Sequence, residues 1–257
     1  MIISSTLISA VSFAFLIAFV FSMFGQGGGS VYSPLLLLLG FAVLISTSTS
    51  LVLNLITSLS AGYIFYRKKM IDYKVSLMFA PGISIGAFAG GALSKSFNTT
   101  FLLWLFVIFL LVVGARMIYS YWEKEKGGAE PPRKLTAGWY ALVALVGLAV
   151  GFLAGLLGVG GGILVVPFMV YVLKYPAKIA AGSSHLIISF SALSGILGHL
   201  TSHRFDLPLI LATGIAVLIG GNIGARVSMK INTKMITAGL GLIMWAFVVQ
   251  LLFKLFG

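Results

Sequence analysis

Two decapeptides, GQGGGSVYSP from Gly25 to Pro34 and GVGGGILVVP from Gly158 to Pro167, each place three consecutive glycines ahead of a proline in an apolar setting. Glycine carries no side chain to keep a ligand away from the backbone. A helix that starts at such a loop leaves its first N–H groups without intrahelical acceptors and points the positive end of its dipole outward. Gly27, Gly28 and Gly29 in one passage, and Gly160, Gly161 and Gly162 in the other, are therefore candidate anion-binding donors, with Gln26 as the polar side chain beside the first. The competing reading is that the glycines only let helices cross closely.

Downstream of each passage lies a hydroxyl cluster, Ser46 to Ser50 in the first and Ser183 with Ser184 in the second. Thr49, Ser50, Ser183 and Ser184 offer uncharged donors suited to a tetrahedral oxyanion, or else they cap the helix that begins there. Asn54, one turn after Ser50, and Asn222 are amides in apolar surroundings that need partners, and hydrogen bonding between helices is their ordinary use. His185 follows Ser184 directly and is the candidate for a titrating group or a substrate contact. His199 and His203 stand near a segment end with Arg204 and are expected at the membrane interface. No Asp or Glu falls inside an apolar segment, which argues against a carboxylate proton relay. Three scattered histidines and no cysteine supply neither a metal ligand set nor a thiol nucleophile, so no metal and no cofactor are expected.

The elements that position these residues are arranged twice. A register of 133 residues overlays Gly27, Gly28, Gly29 and Pro34 on Gly160, Gly161, Gly162 and Pro167. One inserted residue then aligns Thr49 and Ser50 with Ser183 and Ser184, Asp72 with Asp206, and Gly86 and Gly90 with Gly220 and Gly224. His185 breaks the symmetry, since its counterpart is Leu51. Gly86 with Gly90 and Gly220 with Gly224 have the four-residue spacing of close helix contact.

The chain is 60% hydrophobic and 9% charged with a mean hydropathy of +1.12, which excludes a soluble globular protein and makes membrane lipid its surroundings. Apolar segments fall at 3–24, 30–45, 48–66, 74–94 and 99–121, and again at 136–157, 162–173, 179–202, 207–229 and 233–256. Most reach the length needed to cross a bilayer, whereas the second of each set is short and begins at the glycines, as a half-helix or re-entrant piece does. The expected fold is an all-α polytopic membrane protein: a first repeat over 1–122, a linker over 123–135 and a second repeat over 136–257. Mixed charge, Gly-Gly and Pro-Pro make that linker a solvated segment.

The net charge of +12 does not indicate nucleic acid, because its cations stand singly or in short runs at segment ends. They indicate orientation instead. If all ten segments change sides and the Arg67 to Lys69 loop is cytoplasmic, 14 of the Lys and Arg residues lie inside and 3 outside; parallel halves weaken the division to 11 against 6. Inverted repeats are therefore expected, and such repeats with glycine-interrupted segments commonly hold a transport substrate between the halves.

The paired GGG-x4-P passages, each followed by a helix start rich in small and hydroxyl residues, resemble the sulfite exporter TauE/SafE family, also called 4-toluene sulfonate uptake permeases, over essentially the whole chain. The second copy, GLLGVGGGILVVPFMV followed by AAGSSHL, is close to the family pattern, and Gln26 and Ser33 make the first copy more divergent. The resemblance implies a bacterial or archaeal inner-membrane secondary transporter of small, often sulfur-containing anions. An anion channel is the alternative within transport. An intramembrane enzyme is the alternative outside it, and lacks any nucleophile set beyond His185 and hydroxyls. A homodimer is left open by an apolar exterior that carries no oligomer signal.

Overall fold

The computed structural model describes residues 2–119, 137–200 and 205–230, together with isolated helical residues between 242 and 255. Every described element is helical: α1 (Ile2–Ser22), α2 (Gly29–Leu38), α3 (Val43–Arg67), α4 (Tyr73–Leu93), α5 (Thr99–Tyr119), α6 (Ala137–Leu157), α7 (Gly162–Pro167), α8 (Ala177–His199) and α9 (Leu207–Ser228). Beyond Pro167, α7 runs on as one wide π-helical turn, Phe168–Val172. The expected linker and most of the expected tenth segment lie outside the described residues. Five helices, α3, α4, α6, α8 and α9, are long and apolar enough to cross a bilayer. Their outward faces carry Ile85, Leu145, Leu211 and Ile215, each more than 60% exposed, a surface that only a hydrocarbon solvent tolerates. The protein is an all-α polytopic membrane protein.

Helix packing follows the duplication. α4 packs along α6 as α9 packs along α1, and α8 crosses α4 as α3 crosses α9, so exchanging the halves exchanges these contacts. Glycines make the close approach possible at matched positions. A methyl group on Gly86 would lie 2.1 Å from the Leu148 carbonyl oxygen, and one on its counterpart Gly220 would lie 2.6 Å from that of Phe15. At Gly90 and Gly224 the corresponding distances are 2.1 Å to Phe152 and 2.0 Å to Phe19. Backbone cannot retreat from such a contact as a flexible side chain can. Gly90→Leu is expected to force α4 from α6 and to lower the thermal unfolding midpoint in detergent by overpacking worth about 1–3 kcal/mol or more. Gly138→Ala, where an added methyl meets nothing within 4 Å, is the control that leaves the midpoint in place.

Asp72 and Asp206 do the same work at paired sites, each starting a helix: Asp72 accepts from the Val75 N–H at 3.1 Å and Asp206 from the Leu209 N–H at 3.0 Å. Tyr175, in the turn before α8, is held protonated up to about 12 by burial first and then by the charge of Asp72 and a hydrogen bond to it.

One boundary departs from the sequence reading. The break between the second and third segments, expected near residue 47, lies at Gly40, whose φ is +93°. The Gly40 and Phe41 amides return to the Leu37 and Leu36 carbonyls, a left-handed helix stop that apolar continuity on both sides conceals. The hydroxyl cluster therefore sits inside α3 and not at its start. Capping is accordingly not its role: α3 and α8 begin at Ala42 and Pro176, neither with a side-chain cap. Thr47 and Ser48 donate back to the Leu44 carbonyl, at 3.1 and 2.8 Å, the usual recourse of hydroxyls within a helix.

Candidate substrate site

The two glycine passages are left-handed links between a long helix and a short one. Gly25, Gly27 and Gly28 have φ of +71°, +71° and +98°, and Gly158, Gly160 and Gly161 have +72°, +76° and +80°. Residues with a Cβ rarely adopt this backbone, which is why glycine recurs at both sets of positions. Gly28 and Gly161 are the residues from which α2 and α7 start. The first intrahelical bonds run from Val31 and Tyr32 to the Gly28 carbonyl, and from Leu164 and Val165 to that of Gly161. The preceding amides, those of Gly29 and Ser30 and of Gly162 and Ile163, are the first-turn donors that a helix leaves without its own acceptors.

Each link is fastened to the opposite half. Ser50 of α3 donates to the Gly158 carbonyl at 2.6 Å, and its counterpart Ser184 of α8 donates to that of Gly25. Gly25 and Gly158 lie so close to Ala181 and Thr47 that an added methyl would come within 2.4 and 2.5 Å of backbone atoms. Ser50 also reaches the Gly29 carbonyl at 3.2 Å, which brings the two links together on one hydroxyl.

Asn54 completes the junction. It stands eleven residues after Val43 and thirteen before Arg67, halfway along a spanning helix, and is fully buried. Its Nδ2 donates to the Val159 carbonyl at 3.1 Å. Methyl groups placed on Gly27, Gly29 or Gly160 would strike this amide, at 2.1, 2.4 and 1.5 Å respectively. One side chain thus occupies the space between both glycine links. Asn54 Oδ1 and Ser58 Oγ, both beside Gly27, are buried and find no partner among the described residues, and the same holds for Gln26 Oε1 and Ser30 Oγ at the ends of the first glycine run and Thr49 Oγ1 on α3. Leaving a buried polar group unpaired costs about 1–3 kcal/mol, so each such group is a place where a ligand would be held.

The structure brings together Gln26, Gly27, Gly28, Gly29, Ser50, Asn54, Gly160, Gly161, Gly162 and Ser184, while Thr49 is buried on α3 with no hydrogen bond to the links among the described residues. Ser183 is drawn elsewhere: its hydroxyl accepts from the Asp72 N–H at 2.8 Å, at the start of α4. His185 lies one residue past the Ser184 latch, fully buried, with its ring 5.4 Å from that of Phe65. Its Nε2 donates to the Ser22 carbonyl at 3.1 Å, and Nδ1 has no partner among the described residues.

His199, the last residue of α8, is fully buried among the helices, with Nε2 3.0 Å from the Gly155 carbonyl, and His203 lies outside the described residues. The close crossing of α8 on α4, through Gly198 against Phe88 and Gly91 against Gly195, carries it inward. Tyr32 and Ser58 were not singled out from sequence. The Tyr32 ring covers Gly28 and its hydroxyl meets Thr57 Oγ1 at 3.0 Å, while Ser58 adjoins Gly27. Tyr32 follows Gly28 by one helical turn, the spacing that signals it once α2 is known to start there.

This arrangement offers backbone N–H groups, hydroxyls and amides at the middle of spanning helices, and among the described residues no cluster of His, Cys, Asp or Glu able to hold a metal. It is equipped to bind a small polar ligand without covalent chemistry. Every gathered residue is nearly or completely shut from solvent, Gln26 being 6% exposed.

Comparison with known proteins agrees with that equipment. The chain is 30% identical to the probable membrane transporter protein YunE of Bacillus subtilis (strain 168), over 91% of this chain and 92% of that one. It is 27% identical to the probable membrane transporter protein MJ0441 of Methanocaldococcus jannaschii, over 86% and 85% of the two chains. The probable membrane transporter protein YdhB of Bacillus subtilis (strain 168) is also 27% identical, over 82% and 86%. No solved structure matches. The family model described as sulfite exporter TauE/SafE matches residues 10–251, nearly the whole chain, and this multi-pass membrane protein therefore belongs to the TauE/SafE family of membrane transporters.

Proposed function

We propose that the chain is a secondary transporter for a small sulfur-containing anion, sulfite or an organosulfonate, carried between two inverted halves that rock about the glycine links. One observation carries this reading: both links, with the first-turn N–H groups of α2 and α7, close on the single amide of Asn54 amid buried hydroxyls that lack partners. Donors and dipoles of this kind favour an oxyanion, and no acidic side chain stands among the gathered residues to repel it. The description of the matched family names sulfite, and the fastening of each link to the opposite half suits a motion in which the halves exchange roles.

The test is counterflow in proteoliposomes. Vesicles preloaded with unlabelled sulfite are expected to accumulate labelled sulfite transiently against its gradient, with sulfoacetate and taurine compared at equal concentration. Downhill flux without counterflow identifies a channel and overturns the carrier mechanism. Counterflow with carboxylates and none with sulfur anions overturns the substrate class.

A further inference from the structure

The C-terminal ends of α3 and α9 enclose a cleft of about 480 Å³ lined by Ile64, Arg67, Lys68, Arg226, Met229 and Lys230. Four of the six lining residues are cations and none is acidic. The cleft opens at the loop that the charge bias assigns to the cytoplasm. Lys178 closes on its rim, its ammonium donating to the Met229 carbonyl at 3.2 Å.

Two ordinary explanations of basic residues account for part of this. Cations favour helix C-termini, and cytoplasmic loops collect them. Neither requires four to converge on one recess.

The surroundings of the cleft identify its occupant. On the α3 side Tyr63 and Tyr66 are 53% and 58% exposed, one turn or less from Arg67, and the Arg67 guanidinium lies 6.0 Å from the Tyr63 ring centre. Exposed tyrosines beside lysine and arginine are what a protein presents at headgroup level. Along α9 the exposed Ile223, Ile219 and Ile215 continue from Arg226 as an apolar strip. A ligand with an anionic head and hydrocarbon tails matches all three parts: phosphate among the cations, glycerol beside the tyrosines, acyl chains on the isoleucines.

We infer that the cleft between α3 and α9 binds the phosphate of an anionic phospholipid. Zwitterionic lipid, whose phosphate is neutralised within its own headgroup, is held less tightly. Lipid binding here does not depend on what is transported.

The experiment measures lipid retention and thermal stability on the purified full chain, in bilayer discs of phosphatidylcholine alone or with phosphatidylglycerol. The expected result is that phosphatidylglycerol stays bound and raises the unfolding midpoint while phosphatidylcholine does neither. In the double variant Arg67→Gln/Arg226→Gln retention falls on the order of tenfold, as two phosphate contacts imply. Lys95→Gln, at the opposite end of α4, retains lipid as the parent does. Inorganic phosphate or sulfite raising the midpoint as much as phosphatidylglycerol overturns the lipid assignment in favour of a soluble anion. Equal retention of the two lipids, or of phosphatidylglycerol by parent and double variant, overturns the site. Should the double variant not fold, Lys68→Gln and Lys230→Gln singly carry the same comparison.

Discussion

Gly160→Ala is expected to abolish transport and to destabilise the protein. The new carbon would lie 1.5 Å from Asn54 Nδ2, and the residue must also hold a φ of +76°. The backbone strain alone costs about 1–3 kcal/mol. The clash adds to it, because Asn54 is fixed on the Val159 carbonyl and has the other link behind it. A double variant separates the two terms. Asn54→Ala by itself leaves the Val159 carbonyl unpaired, at about 1–3 kcal/mol. In Asn54→Ala/Gly160→Ala the clash is gone, so the double variant is expected to unfold at a higher temperature than the sum of the single effects implies, by a coupling of about 1–3 kcal/mol. Transport stays absent in it. Strict additivity of the two midpoints places the Asn54 amide elsewhere, and full transport by the double variant removes Asn54 from the substrate site.

The second large effect is expected at the paired latches. Ser50→Ala and Ser184→Ala each strand a buried glycine carbonyl, that of Gly158 or of Gly25, at about 1–3 kcal/mol. As register counterparts they should lower the thermal midpoint by similar amounts, with Ser50→Ala somewhat the costlier because Gly29 loses a donor too. Ser50→Thr, which keeps the hydroxyl, is the comparison that isolates the hydrogen bond from the space it fills. The latches also hold the halves together, so transport should fall further than stability, measured as initial counterflow rate per folded molecule. A pair of alanine variants with parental midpoints and rates shows that these bonds carry no load.

The duplication was legible because it rests on glycine and aspartate, whose roles are local. A glycine that must take positive φ, as Gly28 and Gly161 do, or one that abuts a neighbouring backbone, as Gly86 and Gly220 do, shows in the sequence as an uninterchangeable residue. Asp72 and Asp206 fall into register because each caps the helix directly after it. What stayed hidden depends on contacts between distant segments. Nothing near Asn54 in sequence reveals that Gly27, Gly29 and Gly160 all crowd its amide. Ser183 and Ser184 look alike as neighbours, yet the helical turn of 100° between them sends one hydroxyl to α4 and the other to the Gly25 link. The stop at Gly40 was masked by apolar residues on both sides, and with it the place of the hydroxyls within α3. The burial of His199 follows from a helix crossing, which no local pattern records.

Asn54 has Ile188 for its register partner, and His185 has Leu51. Were the halves identical, the conformation open to one side and the conformation open to the other would be mirror tasks of equal energy, and the empty carrier would divide its time evenly between them. An amide answered by a sec-butyl group, and an imidazole by an isobutyl group, would lift that degeneracy. If the halves rock as proposed, the unloaded protein is expected to rest on one side, and the two membrane faces are expected to offer the same substrate different affinities.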